Sequence, residues 1–560
     1  MSAIDPKPWT QHYPPGVPVE LGPLPFSSIG QMAQASADRY SDLPAFENFG
    51  VTLTYADTQR LSRDFAAYLQ GGLGLTKGER VAIMMPNLLQ YPVALFGILR
   101  AGLTAVSVNP LYTARELEHQ LKDSGATVVV IFESAAHTLQ AVIAHTPVRH
   151  TIIVSVGDLL GLIKGTLINF VFRRVKKQVP DYALPGAVTF RTALADGARL
   201  PFDAPPVVAD DIAFLQYTGG TTGLSKGAML THRSVLANVE QTRAFFADNL
   251  KEGEEICITC LPLYHILALV LNCMLYFQIG GKQVLITNPR DLDRFIDTLA
   301  RSRFTIMVGV NTLFNALVNQ PRFAQIDFST MHYCYGGGAP IQEGVAQRWK
   351  SVTGKPLLEG YGLTETSGVV SATPTNVAEH TGTTGFPVPG TEIEIRDDKG
   401  TALAQGAIGQ VYVRGPQVMA GYWHSPHETA AVLGKDGFLA TGDIGLITPE
   451  GYLKIVDRLK DMILVSGFNV YPNEIEEVLM KHPGVLEAAA VGVPDQATGE
   501  AVKLFIVKKD ANLSVADLTA YCRAHLTGYK MPRHIEFRGA LPKSPVGKIL
   551  RRQLREPARG

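Results

Sequence analysis

Residues 256–281 contain no Asp, Glu, Lys or Arg. An uncharged run of this length belongs either across a bilayer or inside a large hydrophobic core. Its punctuation favours the core. Residues 256–261 read as a strand, Pro262 ends it, 266–277 read as a helix apolar on nearly all sides, and Gly280-Gly281 stop that helix. A membrane span would also leave His265 at depth with no partner. The run is therefore expected as a buried strand–loop–helix unit of an α/β core. With 560 residues the chain can enclose such a unit, since that length allows roughly three to four domain-sized units. Lys and Arg (51) balance Asp and Glu (51), so neither a chain-wide polyanion-binding surface nor a nucleic-acid partner is expected. Cys257, Cys260, Cys273, Cys334 and Cys522 are scattered, which argues against a disulfide scaffold and for a reducing compartment. Cys257 and Cys260 form a CxxC, but no second pair completes a metal site. The first 16 residues lack the basic and apolar regions of a secretion signal, so a cytoplasmic location is expected.

From about 80 to 360 short β-rich runs alternate with helical stretches. Strands are expected at 80–85, 104–108, 127–132, 212–217, 305–308, 331–335 and 357–361. This alternation predicts an α/β fold of parallel, helix-covered sheets, with ligands at the loops leaving the strand C-termini. From about 385 to 457 the strands 392–396, 410–414 and 452–456 alternate in polarity between Gly-rich turns, which predicts a smaller antiparallel unit. After the charged segment Asp457-Arg458-Leu459-Lys460-Asp461 comes a compact α+β tail of about 100 residues. The expected division is a large domain, 1–459, and a small mobile domain, 460–560.

The strand 212–217 runs into Thr218-Gly219-Gly220-Thr221-Thr222-Gly223-Leu224-Ser225-Lys226-Gly227. Glycines allow close backbone approach to phosphate oxygens, and the hydroxyls and Lys226 supply donors for a polyanion. The spacing is not that of a Walker A loop. As bare chemistry a surface loop is the alternative; the density of hydroxyls directly after a buried strand favours phosphate.

The loop resembles the phosphate loop of the adenylate-forming superfamily, which comprises acyl-CoA synthetases, adenylation domains and firefly-type luciferases. Further motifs follow in the family's order: Pro262-Leu263-Tyr264-His265, Gly336-Gly337-Gly338-Ala339-Pro340, Tyr361-Gly362-Leu363-Thr364-Glu365, Thr441-Gly442-Asp443, Asp457-Arg458-Leu459-Lys460-Asp461 and Pro542-Lys543-Ser544-Pro545-Val546-Gly547-Lys548. The stretch from Gly442 to Lys548 is most similar to bacterial long-chain fatty acid–CoA ligases.

The resemblance implies ATP, Mg²⁺ and coenzyme A, and two half-reactions. A carboxylate first attacks the α-phosphorus of ATP; the coenzyme A thiol then displaces AMP. It implies that Thr218, Gly219, Gly220, Thr221, Thr222, Gly223 and Lys226 hold the β- and γ-phosphates. Thr364 bonds the α-phosphate and Glu365 holds the metal. Gly338, Ala339, Pro340, Tyr361 and Gly362 frame the adenine, and Asp443 and Arg458 reach the ribose. Lys548 is implied as the catalytic cation of the first step; on spacing alone a solvated basic tail, with Arg551, Arg552 and Arg555, is the alternative. Lys460 matches the hinge position, and Ser466, Gly467 and Phe468 match the pantetheine side.

His265 lies near the acyl group in the family, and Leu267, Leu269 and Val270 are expected to line an apolar acyl channel. Residues 159–172 are strongly apolar and Arg173, Arg174, Lys176 and Lys177 follow. Peripheral contact with an anionic membrane at its inner face and packing against the large domain are both open for this segment. A homodimer is left open as well. The leading expectation is a long-chain fatty acid–CoA ligase; the alternatives are a fatty acyl-AMP ligase or other carboxylate-activating enzyme, and a non-catalytic fatty-acid-binding or transport protein.

Overall fold

A computed structural model describes residues 7–218, 225–544 and 547–555. Ile256–Thr259, the first part of the uncharged run, lies inside a nine-stranded sheet between Lys282–Leu285 and Ile306–Gly309, parallel to both. Its side chains alternate between the two faces, and both faces are covered, so β-branched and apolar residues fill it without polar alternation. Tyr333–Gly336 and Leu357–Leu363 continue the parallel order. Antiparallel strands finish both edges. No helix among the described residues is long and apolar enough to cross a membrane.

A second sheet has seven strands in the order Val188–Thr189, His150–Val154, Val128–Phe132, Arg80–Met84, Thr104–Ser107, Ile212–Thr218, Lys226–Thr231. All neighbours are parallel except the last pair, which turns back on itself. A four-stranded antiparallel sheet holds Glu392–Arg396, Gly409–Arg414, Leu439–Ile447 and Leu453–Arg458. The path leaves it after Arg458 and enters a five-stranded sheet at Ile463–Val465. That last sheet has its own core around Ile475, Leu479, Leu504 and Leu518.

The helix after Pro262 begins at Ile266 and opens into π-type turns over Ala268–Leu275 before Tyr276–Gln278 closes it. Almost every side chain in it is buried. The sequence predicted the helix but not its wide turns, which commonly accompany functional sites. The five cysteines are buried and unbridged. Cys257 Sγ accepts from Asn272 Nδ2 at 3.1 Å, and Cys260 Sγ lies 3.1 Å from the Val308 carbonyl, so the CxxC is part of the packing.

Candidate active site

Parallel strands present their C-terminal ends, and the loops leaving them, at one edge of a sheet. Here the ends of Ile212–Thr218, Ile306–Gly309, Tyr333–Gly336 and Leu357–Leu363 converge on a cleft of ≈ 1370 Å³. Thr218, Lys226, His265, Leu267, Gly338, Tyr361, Gly362, Thr364, Glu365, Arg458, Lys460 and Lys548 all line it. Gly219, Gly220, Thr221, Thr222 and Gly223, together with Leu224, Pro545 and Val546, lie outside the described residues.

Gly338 has φ +76°, a backbone conformation that suits glycine, and it turns the chain at the cleft wall. Gly336 is equally constrained, because an added Cβ would fall 2.3 Å from Ile341 Cδ1. Ala339 and Pro340, expected in the adenine frame, do not line the cleft: the turn directs its glycines inward, and Pro340 is exposed. Beneath the turn, the Ile341 N–H donates to Glu359 Oε2 at 3.1 Å, and Glu359 Oε1 lies 3.3 Å from His380 Nε2. Burial pushes the Glu359 carboxyl up to about 8 and His380 below its usual range.

Asp443 is buried and already held. Tyr361 Oη donates to its Oδ2 at 2.6 Å, and Arg458 Nε lies 3.0 Å from its Oδ1. Asp443 and Arg458 are cross-strand partners, so the ion pair follows from register alone. Asp443 itself does not line the cleft; Tyr361 and Arg458 stand in front of it.

Lys226 pairs with Glu428 and sits 5.4 Å from the Tyr422 ring centroid. Tyr422 Oη donates to Glu365 Oε1 at 2.8 Å. Tyr422 and Glu428 therefore belong to the site, though sequence reasoning missed them; both are held to Lys226 and Glu365 from about 60–200 positions away, a distance no local pattern reports. Among the described residues no group of three or more His, Cys, Asp or Glu is arranged to hold a metal ion. A lone carboxylate such as Glu365 fits Mg²⁺ that arrives with phosphate oxygens, since Mg²⁺ keeps most of its ligands from substrate and water.

Lys548 reaches the cleft from the C-terminal part of the chain, beyond the strands of the five-stranded sheet. Burial, and next the positive charge of Arg458, push its pKa down to about 8. Burial, and next Lys548 itself, push His265 down to about 4, so the imidazole is neutral at pH 7. Of the described basic residues after Lys548, Arg552 and Arg555 are exposed, whereas Arg551 is tied into a cluster of carboxylates. Arg551 is half-buried, 2.7 Å from Glu476 Oε2, 3.5 Å from Asp461 Oδ2 and 3.8 Å from Asp457 Oδ1.

Leu267 lines the apolar arm of the cleft, joined by Ile266, Leu271, Val308 and Val310. Leu269 and Val270 do not line it, contrary to expectation. Leu269 is two positions from Leu267 and so emerges on the other side of a helix. Val270 packs on Gly368, 3.7 Å from where a Cβ would stand. Ser466, Gly467 and Phe468 also stay outside the cleft. Ser466 (φ +51°) and Gly467 (φ +83°) form the two-residue turn of the hairpin Ile463–Val465/Phe468–Val470. Phe468 is 55% exposed and stacks on Tyr529 at 4.7 Å.

The architecture and the cleft are those of an adenylate-forming enzyme. The AMP-binding enzyme description matches residues 33–423 and the AMP-binding enzyme C-terminal domain matches residues 474–548; the chain belongs to this family. It is 56% identical over 554 residues to a long-chain-fatty-acid–CoA ligase of Salmonella typhimurium, covering 99% of each chain. The Bacillus subtilis protein of the same name is 38% identical over 555 residues, 98% of each. Among solved structures, ATP-bound MatB from Rhodopseudomonas palustris superposes with a TM-score of 0.81 at 28% identity, covering 94% of this chain and 98% of that one. The anthranilate CoA ligase AuaEII in complex with anthranoyl-AMP gives 0.83 at 25% identity, covering 95% and 97%.

Proposed function

We propose that this protein is an ATP-dependent long-chain fatty acid–CoA ligase. In the first half-reaction a carboxylate oxygen attacks the α-phosphorus of ATP, the bond to the β-phosphate breaks, and pyrophosphate leaves. In the second, the coenzyme A sulfur attacks the acyl carbon, AMP departs with the bonding pair, and the thiol proton is released. The supporting observation is the entry of Lys548, from the small domain, into the cleft that holds Thr364, Glu365, His265 and Tyr361. A cation there stabilises negative charge where it develops between carboxylate and phosphate.

The other roles follow from placement. Thr218 and Lys226 stand where the phosphate-binding loop begins and ends. Thr364 serves the α-phosphate. Glu365 would supply the protein's carboxylate to Mg²⁺, which neutralises phosphate charge when bound. Tyr361, Arg458 and the Asp443 carboxylate behind them serve the nucleoside. Leu267 and Leu271 carry the acyl chain, with each buried methylene adding ~0.8 kcal/mol. The 460–560 segment turns about Lys460 between half-reactions, which brings the exposed 466–468 hairpin to the cleft for coenzyme A.

Substrate delivery suits peripheral contact with a membrane. On the helix Leu162–Phe170, Leu162, Ile163, Leu167 and Phe170 are 58–89% exposed, and the exposed Arg174, Lys176 and Lys177 follow. An apolar face with a basic end fits an anionic lipid surface. Ile163→Glu is expected to abolish sedimentation with phosphatidylglycerol vesicles while leaving thioester formation from a short soluble acid unchanged; vesicle binding equal to wild type would remove this part of the reading.

The whole is tested by AMP release over a panel of C2–C18 acids, with and without coenzyme A. The expected result is thioester formation that favours long chains. Pyrophosphate exchange that never yields a thioester would overturn the assignment.

A further inference from the structure

Lys548 sits beside a contact between the two domains whose large-domain partner, Thr312, lies outside all of the motifs. Ser544 and Lys548 close their loop on itself: Ser544 N–H donates to the Lys548 carbonyl at 2.7 Å, and Lys548 N–H donates to Ser544 Oγ at 3.1 Å. Between these ends, Gly547 meets the large domain. Thr312 Oγ1 donates to the Gly547 carbonyl at 3.0 Å. Gly547 has φ +80°, and a Cβ there would fall 2.6 Å from Thr312 Oγ1 and 3.1 Å from Val310 Cγ2. The approach is therefore close enough to demand glycine.

Thr312 is itself rigidly mounted. It belongs to the helix Asn311–Val318. At the start of that helix, Asn311 exchanges two hydrogen bonds with Gln342: Asn311 Nδ2 to Gln342 Oε1 at 2.9 Å, and Gln342 N–H to Asn311 Oδ1 at 3.0 Å. The neighbouring Ile341 N–H is held by Glu359. The segment that follows the glycine turn thus fixes the helix that carries Thr312. Other contacts also join the domains: Lys481 with Glu343 at 2.6 Å, Asn315 Nδ2 with the Leu486 carbonyl at 3.4 Å, the Asn473 N–H with Asp457 Oδ2 at 2.8 Å, and Arg551 with Asp457 Oδ1 at 3.8 Å.

We propose that Thr312 is a positioning residue for the first half-reaction. Its hydroxyl latches the Gly547 carbonyl and so holds the adjacent Lys548 ammonium at the cleft. This rests on the reading that Lys548 acts in acyl-AMP formation and leaves before thioester formation. The bond spans two domains and exists only while they are docked. One neutral hydrogen bond biases the docked state by roughly two- to tenfold, enough to favour the first step without locking the small domain against rotation.

The test separates the half-reactions in Thr312→Val, Thr312→Ser and Gly547→Ala, each first checked for wild-type thermal melting. Acyl-AMP formation is followed in single turnovers at saturating ATP and acid. Acyl transfer is followed from supplied acyl-AMP and coenzyme A. Thr312→Val is expected to slow acyl-AMP formation about three- to tenfold through kcat, with KM for ATP within twofold and acyl transfer unchanged or faster. Thr312→Ser, which keeps the donor, should restore the rate. Gly547→Ala should slow the first step more, and combining it with Thr312→Val should add less than the product of the two effects. Equal slowing of both half-reactions, a wild-type rate in Thr312→Val, or no rescue by Ser would overturn the latch. Lys548→Ala is run alongside: if it forms acyl-AMP normally, the reading beneath the latch fails; if it is slow while Thr312→Val is not, only the latch fails.

Discussion

Lys548 is a cation placed where solvation is poor and other cations are near. With its pKa pushed down to about 8, the ammonium is lost as pH rises through that value in the free enzyme. We therefore expect kcat/KM for acyl-AMP formation to fall above about pH 8, approaching tenfold per pH unit. A Lys548→Arg variant, whose guanidinium stays charged, should be slower but should lack that limb. Glu359 shows the opposite case of an acid. Its folded-state value, about 8, lies above the ordinary 4.5, so the folded protein binds the extra proton and loses stability as pH rises between those values. Glu359→Gln should match wild type in urea denaturation near pH 4.5 and be more stable near pH 8.5, by roughly 1–3 kcal/mol. The place of Lys548 at the cleft could be anticipated from sequence because its motif is contiguous. Glu359's burial could not be read, since it depends on the turn above it and on His380, which arrives from another loop.

At the scale of elements, the uncharged run was legible as strand, break and helix because Pro262 and the paired glycines mark its ends. Which helix face meets the cleft was not legible, because a helix apolar on all sides carries no moment to read, and π-type turns alter the side-chain spacing. Leu267 and Leu271 face the cleft, whereas Leu269 faces the core. Leu271→Trp should move the preferred acid toward shorter chains in a kcat/KM series. Leu269→Ala should leave that series unchanged and cost about 2–5 kcal/mol of stability. The helix Leu162–Phe170 is exposed on one face yet tightly mounted on the other. Gly157 and Gly165 touch through their backbones, and a Cβ on Gly165 would fall 2.2 Å from the Gly157 carbonyl oxygen. Arg173 Nε is 2.6 Å from the buried Glu133 carboxylate. Gly165→Ala is expected to destabilise the protein by about 1–3 kcal/mol, read as a lowered urea midpoint. Composition left the segment's exposure open, and the glycine contact that fixes its orientation could not be read because it pairs residues on two different elements.

For the whole molecule, the order of strands explains why one cleft collects residues from Thr218 to Lys548. Two parallel sheets deliver their C-terminal ends to a common edge, the antiparallel sheet adds Arg458 with Asp443 in register behind it, and the C-terminal segment contributes Lys460, Ser544, Lys548, Leu550 and Arg552. The alternation of strands and helices made the sheets predictable from sequence. The docked placement of the five-stranded unit was not, because it depends on a few long-range contacts such as Thr312 with Gly547 and Lys481 with Glu343. The 466–468 hairpin lies away from the cleft in this arrangement, so the proposed coenzyme A role of that hairpin requires a second arrangement of the 460–560 segment. The most direct measurement is a rapid-quench comparison of the half-reactions in Lys548→Ala. The account predicts acyl-AMP formation slowed about 10²–10³-fold, with acyl transfer from supplied acyl-AMP to coenzyme A at the wild-type rate. Acyl-AMP formation at the wild-type rate, or an equal loss in both steps, would contradict it.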